Sequence, residues 1–358
     1  MIYRLVKILL CNMKSKHLHL FAALCFCAAL ACSCRSEIVD LPRAHRDSSV
    51  EAAIDSFIVA TQNLKSDAPD AHIDVHSVML LKHGKVIGSR WLNGADENTP
   101  HIMYSVSKTF TTVALGFATA DSLLSVGDRV IDFFPELVPD SLSANLEAMR
   151  VWDLLTMTCG QSREPAHLRD SLHWVKEFLK YPVEHEPGTF FKYNSAGTYM
   201  VSAIVQKVTG EKINDYLTPR LWEPLHIEKP VWEESPEGIN CGGWGLWLKT
   251  EDMAKLGQLL LQRGEWNGRQ ILSPEWVEQM TSYKVSTKRP EDQRPDWTAG
   301  YCWFMWRCTH NGVRADGQDG QYIIVLPEQD AVIILTSDSS EYQPYMDIVW
   351  RWLLPAVE

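Results

Sequence analysis

The sequence predicts an α/β chain in which an antiparallel sheet, built from both termini and flanked by helices, is interrupted by a mostly helical insertion. Two observations predict it. Short β-patterned runs separated by turn residues lie at Val78–Trp91 and return at Tyr301–Thr336, while the long stretch from Ser105 to Tyr283 places apolar residues at helical spacing. With 358 residues, 46% of them hydrophobic and 22% charged, the chain can bury the core of one large domain or two interleaved ones.

The elements follow in order. Residues 1–31 read as an export signal and 32–48 as a polar linker. The body spans 49–358, its α/β part at about 49–104 and 297–358 and its helical part at about 105–296. Val50, Ile54, Phe57, Ile58 and Leu64 mark an amphipathic helix that should cover a sheet. Val78–Leu81 and Val86–Trp91 flank Lys82-His83-Gly84-Lys85, a hairpin signature. Helical patterns follow at Leu123–Phe134, Val151–Met157, Leu172–Leu179, Tyr199–Val208, Met253–Leu261 and Pro274–Met280, broken by Pro187-Gly188 and Gly242-Gly243. Strands return at Tyr301–Arg307, Tyr322–Leu326 and Ala331–Thr336, with Asn311-Gly312 between the first two. A closing helix is expected at Met346–Leu354.

Charge excludes one large class of partner. The net charge is −11, and removing the four positive charges of the first 31 residues leaves −15, a balance that argues against nucleic-acid binding. Lys14 and Lys16, then the apolar run Leu18–Ala31, suit a signal peptide, with Met13 an alternative start; the run is short for a membrane span. Ala29-Leu30-Ala31-Cys32-Ser33-Cys34 resembles a bacterial lipoprotein cleavage box. Cys32 would then carry lipid and tie the protein to a membrane in the cell envelope; a plain cleaved secretory signal is the alternative.

Of nine cysteines only Cys159, Cys241, Cys302 and Cys308 belong to the body, too few for a disulfide scaffold. Cys302 and Cys308 should not pair if the strand carrying them is straight, since six residues of strand span about 20 Å. No cysteine/histidine spacing suggests zinc, His72 and His76 read as ordinary histidines, and no metal or cofactor is called for.

The chemistry concentrates at Ser105-Val106-Ser107-Lys108. Ser105 stands where a helix should begin, ahead of a stripe of Val106, Phe110, Val113, Ala114 and Phe117, and residues three apart share a helix face. A lysine desolvated by its surroundings can be neutral near physiological pH and take the proton of a serine that attacks a carbonyl. An ordinary helix start is the competing reading of the tetrad alone.

Further landmarks follow in order: Leu123-Leu124-Ser125-Val126-Gly127-Asp128, Asp132-Phe133-Phe134-Pro135, Val151-Trp152-Asp153-Leu154-Leu155-Thr156, Pro187-Gly188-Thr189-Phe190-Phe191-Lys192-Tyr193, Gly242-Gly243-Trp244-Gly245-Leu246 and Asp252-Met253-Ala254-Lys255-Leu256-Gly257. Together with the tetrad these resemble the serine β-lactamase and penicillin-binding superfamily over about Val50 to Leu354. The branch resembled holds class C β-lactamases, small DD-peptidases, family VIII esterases and 6-aminohexanoate-dimer hydrolases.

The resemblance implies a β-lactamase/transpeptidase-like fold in which Ser105 is acylated, Lys108 is its base partner and Tyr193 relays protons, its phenol lowered in pKa beside the ammonium. Tyr193-Asn194-Ser195 matches the second motif of the family in its tyrosine only, with Ser195 in third place as a substrate contact. Gln318-Asp319-Gly320-Gln321 is the best match to the third motif, which would place Gln318, Asp319 and Gly320 along the substrate. It would pair the Gln321 amide with that of Ser105 as the oxyanion hole; the competing reading is a glycine-rich turn.

The cation usual in that motif is missing, so a substrate carboxylate would need Arg314, Lys192 or Arg163 instead. Of Trp244, Trp247, Trp303 and Trp306, most should be core, and Trp244 is the one assigned to the acyl pocket. Cys159 is read as structural. The implied activity is hydrolysis of an ester or amide in a small-molecule or peptide acyl substrate. The alternatives are a true β-lactamase or DD-peptidase, or an envelope binding or sensor module without turnover.

Overall fold

The computed structural model describes residues 39–64, 70–165 and 168–358; the export signal and Cys32 lie outside the described residues. Helix α1 (Ser48–Gln62) starts where the Asp47 carboxylate accepts the Ser49 amide at 2.8 Å, an N-cap that satisfies one of the helix's free donors. Strands β1 (Ile73–Lys82) and β2 (Lys85–Trp91) meet at His83-Gly84, both with positive φ (50° and 71°), the geometry that matches the natural twist of a hairpin.

Then come α2 (Ser107–Ala120), α3 (Ser195–Thr209) and α4 (Thr250–Leu261), followed by β3 (Trp306–Arg307), β4 (Val313–Gly317), β5 (Gln321–Leu326), β6 (Ala331–Ser339) and α5 (Gln343–Trp352). The six strands form one antiparallel sheet in the order β2-β1-β6-β5-β4-β3. The first hairpin therefore pairs with the last strand, so the sheet closes only when both ends of the chain are present.

Alternation along the strands builds a layer on each face. Val78, Leu80, Tyr322, Ile324, Ile333 and Leu335 pack with Val50, Ile54 and Phe57 of α1 and with Tyr345, Met346 and Val349 of α5. The opposite face carries α4, which lies against β1, β5 and β6. Helix α2 sits deeper than either covering helix. Ser107 through Gly116 are all buried, as expected of a helix enclosed on every side, and α3 packs along it.

Four expectations change. Part of the 32–48 linker is docked, with Leu41 buried and the Ala44 amide bonded to Val86 O at 2.9 Å. Leu123–Phe134 forms turns and a short 3-10 segment, Val130–Phe133, in place of a helix. Tyr301–Arg307 is broken at Phe304, whose φ is 55°, and only Trp306–Arg307 remains in the sheet. Asn311-Gly312 then leads into β4, a strand the sequence reading missed because Arg314 and Asp316 interrupt its apolar pattern. All four body cysteines are free and buried.

Candidate active site

Ser105 occupies a single 3-10 turn, Tyr104–Val106, immediately ahead of α2. Tyr104 before it has φ 43°, a left-handed conformation that costs a non-glycine residue roughly 1–3 kcal/mol. One turn beyond Ser105, as the second residue of α2, Lys108 is only 1% exposed. Its Nζ donates to Ser105 Oγ at 2.8 Å, to Ser195 Oγ at 3.1 Å and to Gly243 O at 2.8 Å.

Gly243 eases that approach. A Cβ there would crowd Ser195 O at 3.1 Å and touch Lys108 Nζ at an ordinary 3.5 Å, so the absence of a side chain leaves the loop free to lie close against Ser195 and the amine. Burial pulls the Lys108 pKa down from 10.5 to about 7, against the opposing pull of the Glu164 and Asp316 carboxylates. Burial destabilises the charged form, and neighbouring anions restore part of it.

Tyr193 closes the other side. Its hydroxyl lies close enough to Ser105 to interact with it, its ring centroid lies 4.9 Å from Lys108 Nζ, and its ring stacks on Trp306 with centroids 5.9 Å apart. The expected lowering of its pKa is not found. Burial raises it well above the usual phenol range, and Asp316 and Glu164 push the same way against the Ser105 interaction. The phenol therefore stays protonated and can serve as a hydrogen-bond and proton donor rather than as a phenolate base.

The displaced asparagine of the second motif has a local cause. Asn194 is the N-cap of α3: its Oδ1 accepts the Gly197 amide at 3.0 Å, while its Nδ2 donates to Gln161 Oε1 at 2.9 Å. With Asn194 buried in that role, Ser195 becomes the first helical residue and faces Lys108. Glu164 accepts the Ser195 amide through Oε1, which places its carboxylate beside the same corner.

A cavity of about 410 Å³ opens over these groups, bordered by Ser105, Phe191, Tyr193, Ser195, Thr287, Arg289, Asp292, Arg294, Trp297, Trp306, Asp316, Gln318 and Tyr342. Ser105, Tyr193, Ser195 and Gln318 thus share one space, with Lys108 beneath. Gly317 allows it to form: a Cβ there would come within 2.4 Å of Met103 O, so β4 lies against the segment leading to Ser105.

Other expected site residues stand elsewhere. Gln321 is buried in β5, its amide group tied to Ser337 N and O at 3.2 and 2.6 Å, and it does not border the cavity. Gly320 is buried under Ser337 and Tyr345. Asp319 turns to the Tyr104 hydroxyl. The physical reason is one of register: with β4 ending at Gly317, residues 318–320 form the turn to β5, and only the first of them faces Ser105. Trp244 lines a separate cavity of about 220 Å³ with Glu164, Leu168 and Arg169, and Ser195 borders both.

Arg314 is not free for a substrate. It is fully buried, with Nε 2.8 Å from Asp316 Oδ2, and neither Lys192 nor Arg163 borders the larger cavity. Sequence reading missed Asp316, Arg289 and Arg294, three charges spread over a loop and a short strand that carry no periodic signal, and it chose Trp244 for the pocket where Trp306 borders the cavity. Among the described residues no group of three or more His, Cys, Asp and Glu side chains is placed to hold a metal ion. His72 bonds to Asp338 and His76 stacks on His101.

A sheet closed by both termini, with a serine and a buried lysine at the head of its central helix, defines a β-lactamase-like hydrolase. Residues 60–358 match the family model described as Beta-lactamase, and the chain belongs to that family. It is 24% identical over 307 residues to the 6-aminohexanoate-dimer hydrolase of Paenarthrobacter ureafaciens, covering 77% of this chain and 74% of that protein. Among solved structures it shares its fold with EstCE1, a hydrolase with promiscuous acyltransferase activity (TM-score 0.67, 17% identity, 85% of this chain and 100% of the other). It also resembles the octameric penicillin-binding protein homologue from Pyrococcus abyssi (TM-score 0.64, 19% identity, 86% and 77%).

Proposed function

We propose that this protein is an exported serine hydrolase that cleaves an ester or amide bond through an acyl-enzyme on Ser105. The observation that carries the reading is the 2.8 Å contact between Ser105 Oγ and a lysine amine whose pKa burial has brought to about 7. Neutral Lys108 takes the serine proton as Oγ attacks the carbonyl. The protonated Tyr193 hydroxyl stands beside Oγ to pass a proton to the leaving group.

The oxyanion is held by the backbone amides of Ser105 and Gln318, a role moved from Gln321 because Gln318 borders the cavity and Gln321 does not. The Lys108 ammonium returns its proton to Tyr193 as the leaving group departs; in deacylation neutral Lys108 then takes the proton of the attacking water and delivers it to Ser105 Oγ as the acyl group leaves as the acid. The comparison with EstCE1, whose description includes acyltransferase activity, supports acyl-transfer chemistry on this fold.

The test is labelling by a serine-directed phosphonate, compared between wild type and Ser105→Ala, with mass spectrometry locating the adduct. Labelling confined to Ser105 supports the hydrolase. Absence of Ser105-dependent labelling in folded protein favours a binding module without turnover. Brief exposure to a penicillin then separates the subclasses, since rapid release of a penicilloyl adduct would make it a β-lactamase. Export rests on residues 14–31 and the lipid anchor on Cys32; fatty-acid labelling of the full chain, lost in Cys32→Ser, tests the anchor.

A further inference from the structure

A second cavity, again of about 410 Å³, shares no lining residue with the one over Ser105. Three backbone segments wall it. Trp247 pairs with Ile102 across a two-stranded ladder, and its amide bonds to Val231 O at 3.0 Å. Pro100 and Pro230 border the same space and fix the backbone there, and Asn214 Nδ2 donates to Pro230 O at 2.8 Å. The walls are therefore set by backbone bonds, and the volume falls within the range of small-molecule sites, about 300–1,000 Å³.

The rim is apolar. Val231 is 71% exposed and Trp247 41%, side by side on the adjoining segments. Four charged residues complete the border, and three of them have partners: Lys249 Nζ lies 3.8 Å from Glu228 Oε2, and Lys229 is paired with Asp215. Asp252 is the fourth. Its Oδ2 accepts the Lys249 amide at a long 3.4 Å, and it makes no ion pair among the described residues. The Lys255 amine, whose field favours the carboxylate, is itself bonded to His226 O at 2.9 Å. Burial raises the Asp252 pKa from 3.8 to about 6, so the ionised carboxylate is under-stabilised where it stands, and a cation brought beside it supplies what the protein does not.

We propose that this cavity is a binding site for an organic ammonium ion with an apolar body, its charge met by Asp252 and its apolar part laid against Trp247 and Val231. An anion would face Asp252 and Glu228, and a neutral apolar molecule would desolvate the carboxylate without replacing its water. An ammonium satisfies both demands, and the indole face of Trp247 attracts it as well. The site is independent of the hydrolase reading: none of its residues touches Ser105, Lys108 or Tyr193, and it stands or falls without reference to acylation.

The test compares two probes of one shape, 4-phenylbutylamine and the neutral 4-phenylbutan-1-ol, titrated into the full chain by calorimetry at about pH 8, where the amine is charged and Asp252 is ionised. The readout is the ratio of the two dissociation constants, alcohol over amine, for wild type, Asp252→Asn and Trp247→Ala. The amine should bind more tightly to wild type, and Asp252→Asn should lower the ratio about tenfold, the low end of what a charge-assisted bond is worth. Trp247→Ala should weaken both probes, by about fivefold or more.

An amine that binds wild type no more tightly than the alcohol overturns the proposal. So does a ratio unchanged in Asp252→Asn, which would place the bound amine elsewhere, including the cavity over Ser105. Asparagine keeps an oxygen to accept the Lys249 amide; should that variant nevertheless fold poorly, the exposed Trp247→Ala decides, and amine affinity unchanged in it overturns the site.

Discussion

The pH dependence of acylation follows from the burial of Lys108. Its pKa falls from 10.5 to about 7, a displacement worth about 5 kcal/mol at 1.36 kcal/mol per unit. The base is the neutral amine, so its fraction rises from about 9% at pH 6 to about 91% at pH 8. The rate constant kcat/KM should therefore climb about tenfold across that interval and then level off. A lysine at its ordinary pKa would be only about 0.3% neutral at pH 8, and kcat/KM would climb tenfold per unit to about pH 10.

The assay is initial-rate hydrolysis of a neutral activated ester from pH 5 to 10, with the Ser105→Ala rate subtracted at each pH. Glu164→Gln gives the sign check. Its carboxylate favours the charged amine, so removing it should move the midpoint to lower pH, while the glutamine Oε1 can still accept the Ser195 amide. A log-linear rise without a plateau below pH 10, or a midpoint moved to higher pH by Glu164→Gln, would refute the reasoning.

Tyr193→Phe keeps the ring against Trp306 and loses the hydroxyl beside Ser105; kcat/KM should drop about 10²- to 10⁴-fold with little change in Tm. Asp316→Ala strands the buried Arg314 guanidinium and should cost about 3–5 kcal/mol in denaturant unfolding, most of it recovered when Arg314→Met is added. Gly317→Ala places a methyl 2.4 Å from Met103 O. Because φ there is −116°, the penalty is one of space rather than backbone strain, about 1–3 kcal/mol, and phosphonate labelling should slow as β4 moves away from Ser105.

Much of the fold was legible in local pattern. The hairpin at Lys82–Lys85, the apolar stripe behind Ser105 and the alternation of Tyr322–Leu326 each record a period that burial imposes on neighbouring residues. The expected helix at Leu123–Phe134 failed because apolar residues can also be buried from turns. The strand at Val313–Gly317 was missed because a buried ion pair looks, in sequence, like a polar loop. That omission displaced the third motif, so Gln321 was assigned a place at the cavity that belongs to Gln318.

The sequence by itself determined the chemistry of one helical turn: Ser105 and Lys108 three residues apart, with Tyr193 supplied by a resemblance further along. The tertiary structure decided the state of those groups and their company. The protonated phenol, the lysine near neutrality and the capping role of Asn194 arise where segments up to some two hundred residues apart exclude water from one another. Desolvation and charge pairing depend on what folds against a residue, and a linear pattern records only what lies beside it.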